Sequence, residues 1–516
     1  MASEETYDYI VVGAGSAGCV IARRLLDQLD CRVLLLEAGG GDGSPAVHAT
    51  DLGSMFSLWG PGESNWPYRT VEQPGLAGRR IDLIQGRMLG GGSSVNAMMY
   101  VRGNRHDFDH WAELGNRGWS YAEVLEYFRR AESYAGKPSE YRGTDGPLSV
   151  VDYDGPSEVS RAFVAAVAEL GHGAEEDYNG ARQDAGAFYY QSTRTTDDRR
   201  SSTAVGYLDP VRDNPRLTVA TGALVSRVLI SGGQATGVEY RQDGQLRTAR
   251  ADAEVVLTAG ALASPKLLML SGVGPQEELT RQAVPLVQEL SGVGRNLQDH
   301  LLFGVGYESL QPLPFPQLLS EAGLFTRARE REGIPGGAPD LQFFFGPVQF
   351  VADRYKTEAP GFTFAPILAQ PRSRGSVHLR SADAADLPIV DPRYLTAEAD
   401  LGVLVRGLAL SREIVASRAF DAFRGRELAP GPEVVAPAEL ARYVRENAST
   451  VWHPVGTCKM GQGPDAVVDP QLRVHGVERL RVADASIMPT ITTGNTNAAT
   501  IMIAEKAADL IASAAR

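Results

Sequence analysis

The chain has 516 residues, 43% hydrophobic and 22% charged, which suits two globular units with a cleft between them rather than disorder. Its formal charge of −13 would repel phosphate backbones and anionic lipid, so nucleic-acid and membrane partners are not expected. Cys19, Cys31 and Cys458 form no short-spaced metal pattern, the first seven residues are unlike a signal peptide, and no run reaches the roughly 18 apolar residues of a membrane span, so a cytoplasmic enzyme is expected.

Residues 9–12 read as a buried strand, 17–29 carry helical spacing and 32–37 form a second, Leu-rich strand, a β-α-β opening. Residues 39–65, rich in Gly, Ser and Pro, predict a surface loop placed where it could gate a site. Two β-rich stretches within 217–240 flank Gly232-Gly233, a hairpin signal, and residues 254–258 make a further strand. Alternating charges with Pro and Gly predict a solvated loop over 326–339. Residues 479–482 read as a strand, and 498–514 as a closing helix without Pro or Gly. No internal repeat is present, and the order of elements predicts a nucleotide domain assembled from separated segments, with a second domain from the intervening chain.

Gly13-Ala14-Gly15-Ser16-Ala17-Gly18 is a G-x-G-x-x-G between predicted strand and helix, the context this motif requires. Gly13 permits the tight turn, Gly15 lets backbone approach a pyrophosphate, and Gly18 lets the helix pack on the strand. The helix N-terminus then offers free N–H groups and a positive dipole end to phosphate. Glu37 closes the second strand about 20 residues on, where a carboxylate can take both hydroxyls of an adenosine ribose and would repel a phosphorylated one. These features predict dinucleotide binding without separating FAD from NAD.

The segment from Gly86 through Arg87, Gly90-Gly91-Gly92-Ser93-Ser94-Val95-Asn96 and on to Asp109 resembles the first signature of the glucose-methanol-choline oxidoreductase family. The segment from Gly260 through Ser264-Pro265 to Gly274 resembles its second signature, and Asn495-Thr496-Asn497 agrees in order and spacing. Independently of the family, Gly90 to Gly92 let backbone lie flat against a ring system and offer N–H donors. The resemblance implies an α/β plus α+β chain. A Rossmann-like FAD-binding domain is expected from discontinuous segments 1–155, 196–305 and 455–516, and a substrate-binding domain built on an antiparallel sheet from 156–195 and 306–454. It further implies FAD contacts from Gly13, Gly15, Ser16, Ala17, Gly18, Glu37, Ala38, Arg87, Gly91, Gly92, Ser93, Asn96, Ala97, the Val225 backbone, Asp484, Ala485, Asn495 and Asn497. Val95 stands where some members attach FAD through a His, so the flavin is expected to be noncovalent.

The resemblance also makes His453, in Val451-Trp452-His453-Pro454, the catalytic base and Asn495 its partner. An alcohol yields hydride readily only as its O–H proton leaves, and imidazole is the side chain whose pKa suits a base near neutrality. His453 would take that proton as hydride passes from the carbinol carbon to the flavin, while Asn495 holds the oxygen by an N–H donor. The closing helix would point its positive end at the flavin pyrimidine.

Within the family, the segments Val293-Gly294-Arg295-Asn296-Leu297-Gln298-Asp299-His300 and Val390-Asp391-Pro392-Arg393-Tyr394 resemble the branch of choline oxidases, choline dehydrogenases and hydroxymethylfurfural oxidases. Leu302 stands where choline oxidases carry a carboxylate, Ser320 in place of a cage Trp and Phe344 in place of a His. Phe350 and Trp452 keep the wall aromatic. The expected substrate is therefore a small neutral primary alcohol of aryl- or furan-methanol type, oxidised to the aldehyde, with oxygen or another acceptor reoxidising the flavin. Alternatives are choline or another alcohol of the same chemistry, with Glu308 or Glu321 facing the pocket, and an FAD-containing hydroxynitrile lyase.

Overall fold

The computed structural model describes residues 5–60, 62–183, 186–329 and 337–515. The first strand, Glu5–Val12, lies inside a seven-stranded sheet, parallel to Val33–Leu36 on one side and to Gln245–Leu257 on the other. Leu217–Ala220 continues the parallel set at one edge, and Leu480–Val482 pairs parallel with Gln245–Leu257. Every residue of Val33–Leu36 is buried, as a parallel strand covered on both faces must be, which is why it reads as an unbroken apolar run. Beyond Gln245–Leu257 the sheet turns antiparallel through the hairpin Leu224–Ser231 and Gln234–Gln242, with Gly232 and Gly233 both at positive φ in its turn.

The helix Ser16–Gln28 packs beside the last helix, Asn497–Ala514, and the buried Glu505 carboxylate clamps them by accepting from Arg24, Arg130 and Tyr207. The chain's two ends thus close one layer of the nucleotide-binding unit.

The second unit is an eight-stranded antiparallel sheet. Its main path runs Arg424–Ala429, Val305–Ser309, Gly361–Leu368, Leu341–Gly346, Ala322–Thr326 and Gly186–Tyr189. One face packs against the helices Glu158–Glu169 and Glu398–Val415 through Phe163, Leu404, Leu408, Phe345 and Phe364. The opposite face carries Phe344, Ile367 and Tyr190, which pack with Met99, Val101 and Leu302 towards the nucleotide unit. Leu301–Leu302 joins this sheet to Ser449–Thr450, so the segment leading to His453 is pinned to its edge.

Three expectations need correction. Residues 39–65 are not a plain loop: Pro45–His48 is a helical turn and Leu52–Trp59 a helix whose N-cap Asp51 accepts from Ser54 N. The Gly and Ser content hid this helix, whose Leu58 packs with Val47 of the preceding turn against Met88 and Val95. The strand expected at 254–258 begins at Gln245, because its exposed polar half is held by ladder hydrogen bonds and not by burial. The solvated loop expected at 326–339 starts as the last residue of a buried strand, and its residues 330–336 lie outside the described residues.

Candidate active site

The dinucleotide turn has the geometry its residue types imply. Gly13 adopts φ +104°, and a Cβ at Gly18 would lie 1.9 Å from the Gly13 carbonyl oxygen, so the helix meets the strand at a distance only glycine allows. A Cβ at Gly91 would stand 2.7 Å from the Gly15 Cα, which brings the two glycine loops of the chain into contact. Glu37 accepts from the backbone N–H groups of Ala14 and Gly39 at 3.0 and 2.8 Å, and burial nevertheless pushes its carboxyl up to about 7. Ribose hydroxyls fit the acceptor positions it retains. Val225 is buried in the strand that starts beside Glu37, whose carbonyl takes the Ala223 N–H at 2.8 Å. Arg87 lies over the Trp66 ring at 4.7 Å with its Nε unpartnered, next to the Ala38 carbonyl.

From these loops a cavity of about 510 Å³ extends between the two units. On the nucleotide side Gly15, Ser16, Ala17, Gly91, Gly92, Asn96, Ala97, Asp484, Ala485 and Asn497 line it. Asp484 both caps the turn Ala485–Ile487 and anchors the second glycine signature, accepting from Ser486 N, Gly260 N and the Ser264 hydroxyl. Asn497, the first residue of the last helix, donates to Ser16 Oγ at 2.8 Å, so two helix N-termini face the same end of the cavity. Ser93 does not line it; its hydroxyl braces the turn from behind through Gly90 O and Thr203. This cradle fits FAD: glycine loops where a ring and its phosphates would press, a ribose acceptor, and helix N-termini for negative charge.

On the other side stand His453, Asn495, Leu302, Phe344, Phe350, Val451 and Trp452, with Trp59, Met99 and Leu319 beside them. Asn495 Nδ2 is 3.4 Å from His453 Nε2, and Asn495 Oδ1 has no partner within the protein. His453 Nδ1 lies 3.0 Å from His300 Nδ1, and His300 Nε2 lies 3.0 Å from the Ala369 carbonyl oxygen. A carbonyl can only accept, so His300 carries its proton on Nε2 and offers a lone pair at Nδ1. His453 must then donate from Nδ1, which leaves the Nε2 lone pair facing Asn495 and the cavity. Burial drives His300 down to about 4 and His453 well below 6.5, and the second imidazole adds to the depression at His453. The arrangement is a neutral base aimed at the cavity.

The backbone at His453 is held by Asp299, which accepts from His453 N and His300 N through one oxygen and from Tyr394 and Thr450 hydroxyls through the other. Trp452 sits at φ +62°, an unfavourable conformation for a bulky residue, fixed by its N–H to Thr450 Oγ1 at 2.7 Å. Its ring meets Trp59 edge-on at 4.8 Å, and Trp59 Nε1 donates to Val95 O, so the helix Leu52–Trp59 ties the turn Gly92–Val95 to the segment that carries His453.

Sequence reasoning missed His300, Asp299 and Trp59. The run Gln298-Asp299-His300 was visible as a family segment, but only folding brings it against His453. Ser320 is a correction: its hydroxyl turns inward to Phe345, and the neighbouring Leu319 faces the cavity instead. Neither carboxylate held open as a pocket residue is one. Glu321 is buried against Tyr153, Ser157 and Ser160, and Glu308 pairs with Arg426. Among the described residues, no cluster suits a metal ion, the three cysteines are free and buried, and no helix is long and apolar enough to cross a membrane.

Fold and site together define a dinucleotide-dependent oxidoreductase in which an antiparallel sheet faces the cofactor cradle. The GMC oxidoreductase models match residues 7–302 and 371–504, and the chain belongs to the GMC oxidoreductase family. It is an FAD-dependent alcohol oxidoreductase. It is 40% identical to oxygen-dependent choline dehydrogenase 1 of Chromohalobacter salexigens, over 99% of this chain and 96% of that one. Mitochondrial choline dehydrogenase of Mus musculus is 41% identical over 98% and 90%. The crystal structure of pyridoxine 4-oxidase from Mesorbium loti superposes with a TM-score of 0.91 at 35% identity, covering 97% of this chain and 98% of that one.

Proposed function

We propose that the chain oxidises a small neutral primary alcohol of aryl- or furan-methanol type to its aldehyde. His453 Nε2 takes the hydroxyl proton, Asn495 Nδ2 holds the oxygen over the ring, and the aromatic wall orients the substrate. FAD, when bound, supplies the hydride acceptor. The observation that carries this reading is the charge of the lining: among the described residues, its only formally charged side chains are Asp484 and Lys356. Asp484 is already engaged by three donors on the flavin side, and Lys356 is a cation paired with Asp353 at the exposed rim. A quaternary ammonium would find rings but no free countercharge, whereas a flat neutral alcohol gains stacking worth about 0.5–1.5 kcal/mol per aromatic pair beyond area.

A second reading, choline, is favoured by the names of the relatives at 40% and 41% identity. Anaerobic flavin bleaching with benzyl alcohol and choline at equal concentration separates the two. Faster bleaching by benzyl alcohol is expected, and a clear preference for choline would overturn the proposal. Bleaching by either also argues against a hydroxynitrile lyase, whose chemistry leaves the flavin oxidised. Oxygen is the favoured acceptor, because Val451 sets an apolar side chain in the cavity lining two residues before the base, and peroxide release tests it.

The flavin is proposed to be noncovalent. Val95, at the attachment position, is buried and offers no nucleophile to the cavity it lines. Acid precipitation should release the yellow cofactor into the supernatant; colour retained in the pellet would refute it.

A further inference from the structure

Arg200 is 1% exposed, and only one of its guanidinium nitrogens is engaged. Nη1 donates to Asn96 O at 2.7 Å, Asn96 Oδ1 at 2.9 Å and Ser93 O at 3.4 Å, while Nε and Nη2 have no partner. The other arginines buried this deeply are all paired: Arg102 and Arg142 with Glu132, and Arg481 with Glu254. No carboxylate pairs with Arg200 among the described residues. Burial alone lowers its pKa, to about 10, so it remains a cation at neutral pH. An unpaired charge held in the interior is costly, and such charges cluster where function requires them.

Its location supplies the reason. Arg200 stands directly behind the turn Gly92–Val95 and Asn96, and Val95, Asn96 and Ala97 line the cavity that fits the flavin. In alcohol oxidation the substrate gives up a hydride and a proton. The proton goes to His453 and the hydride carries two electrons to the ring, which gains one negative charge. A fixed cation behind the turn that lines this cavity would stabilise that charge, and in a water-poor interior its field is weakly screened.

We propose that Arg200 sets the redox poise of the flavin, its uncompensated charge favouring the reduced, more negative ring. This rests on FAD binding and not on the identity of the alcohol. It assigns Arg200 a positioning and electrostatic role, without contact to substrate.

The test uses the FAD-loaded protein, with sulfite as probe. The sulfite dianion forms an S–N bond to the oxidised flavin, moves one of its two negative charges onto the ring, bleaches the spectrum and needs no other reactant. Arg200→Gln should keep a hydrogen-bonding group at Asn96 but remove the charge. It is expected to weaken sulfite binding at least tenfold and to lower the two-electron midpoint potential by about 30 mV, the equivalent of tenfold. Arg200→Lys should stay within threefold of the parent at pH 6. Because a buried lysine loses its proton more easily than an arginine, the ratio of its sulfite affinity to the parent's should fall between pH 6 and pH 9. Arg200→Gln with FAD bound and both values within twofold of the parent would overturn the proposal, as would Arg200→Lys behaving like Arg200→Gln at pH 6. If Arg200→Gln does not retain FAD, the lysine ratio decides, and a ratio independent of pH refutes it.

Discussion

Replacing His300 by Leu tests whether the second imidazole fixes the tautomer of the base. In the parent, the Ala369 carbonyl accepts from His300 Nε2 at 3.0 Å, and His300 Nδ1 accepts from His453 Nδ1 at 3.0 Å. Leucine removes that acceptor. The tautomer with its proton on Nδ1 would then bury an unsatisfied donor, at about 1–3 kcal/mol. The other tautomer would place its proton on Nε2, where Asn495 Oδ1 is free to accept after rotation of its amide. The productive form therefore becomes the minor one, populated about 5–150-fold less, and the limiting rate of flavin reduction should fall by that factor. The loss should appear in the limiting rate and not in the apparent substrate affinity, since His300 does not line the cavity. Loss of the Ala369 partner should also cost about 1–3 kcal/mol of stability, read from thermal unfolding. Anaerobic stopped-flow reduction of the bound FAD, with whichever alcohol bleaches it best, measures the rate. A His300→Leu protein with full FAD content that is reduced within twofold of the parent rate would refute the tautomer argument.

His453→Ala should slow flavin reduction about 10²–10⁴-fold while FAD stays bound, and Asn495→Ala should slow it less; near-native rates in both would remove them from the proposed chemistry. The pH dependence follows from sign. The base must be neutral to act, and its folded pKa lies well below 6.5, so reduction should stay on its plateau from pH 9 down through pH 6.5 and decline only in more acidic solution. An acid limb with an apparent pKa at or above 6.5, measured as the limiting reduction rate against pH, would contradict the environment described for His453.

Short-range features of this protein were legible because each is enforced within a few residues. The turn Gly13 to Gly18, the Gly232-Gly233 hairpin and the closing helix depend on local sterics and periodicity, and the structure places them where the sequence predicts. Other elements were obscured by composition alone. The helix Leu52–Trp59 is rich in small residues, and its stability comes from packing on Met88 and Val95, which no local pattern reports.

His453, Asn495 and the aromatic wall were named from the sequence, but their relations were not, and His300, Asp299 and Trp59 were not assigned to the site at all. His453 and Asn495 could be identified as a pair, whereas the distance of 3.4 Å between them exists only because Leu480–Val482 returns to the nucleotide sheet. His300 reaches His453 across 153 residues because Leu301–Leu302 bridges Gly361–Leu368 and Ser449–Thr450. The bend that leads into Ala322–Thr326, tied by Ser320 to Phe345 of the neighbouring strand, likewise decided that Leu319 and not Ser320 faces the cavity, and that Glu321 spends its charge on Tyr153, Ser157 and Ser160. A strand shifted by one residue exchanges its two faces, so side-chain direction in a variable region is fixed by packing between strands distant in sequence. The sequence by itself determined the nucleotide turn, the family and the chemical types available for catalysis. Tertiary structure decided which of those groups meet, which tautomer the base holds and which charges are left without a partner, because each depends on long-range contacts and on the exclusion of water that they create.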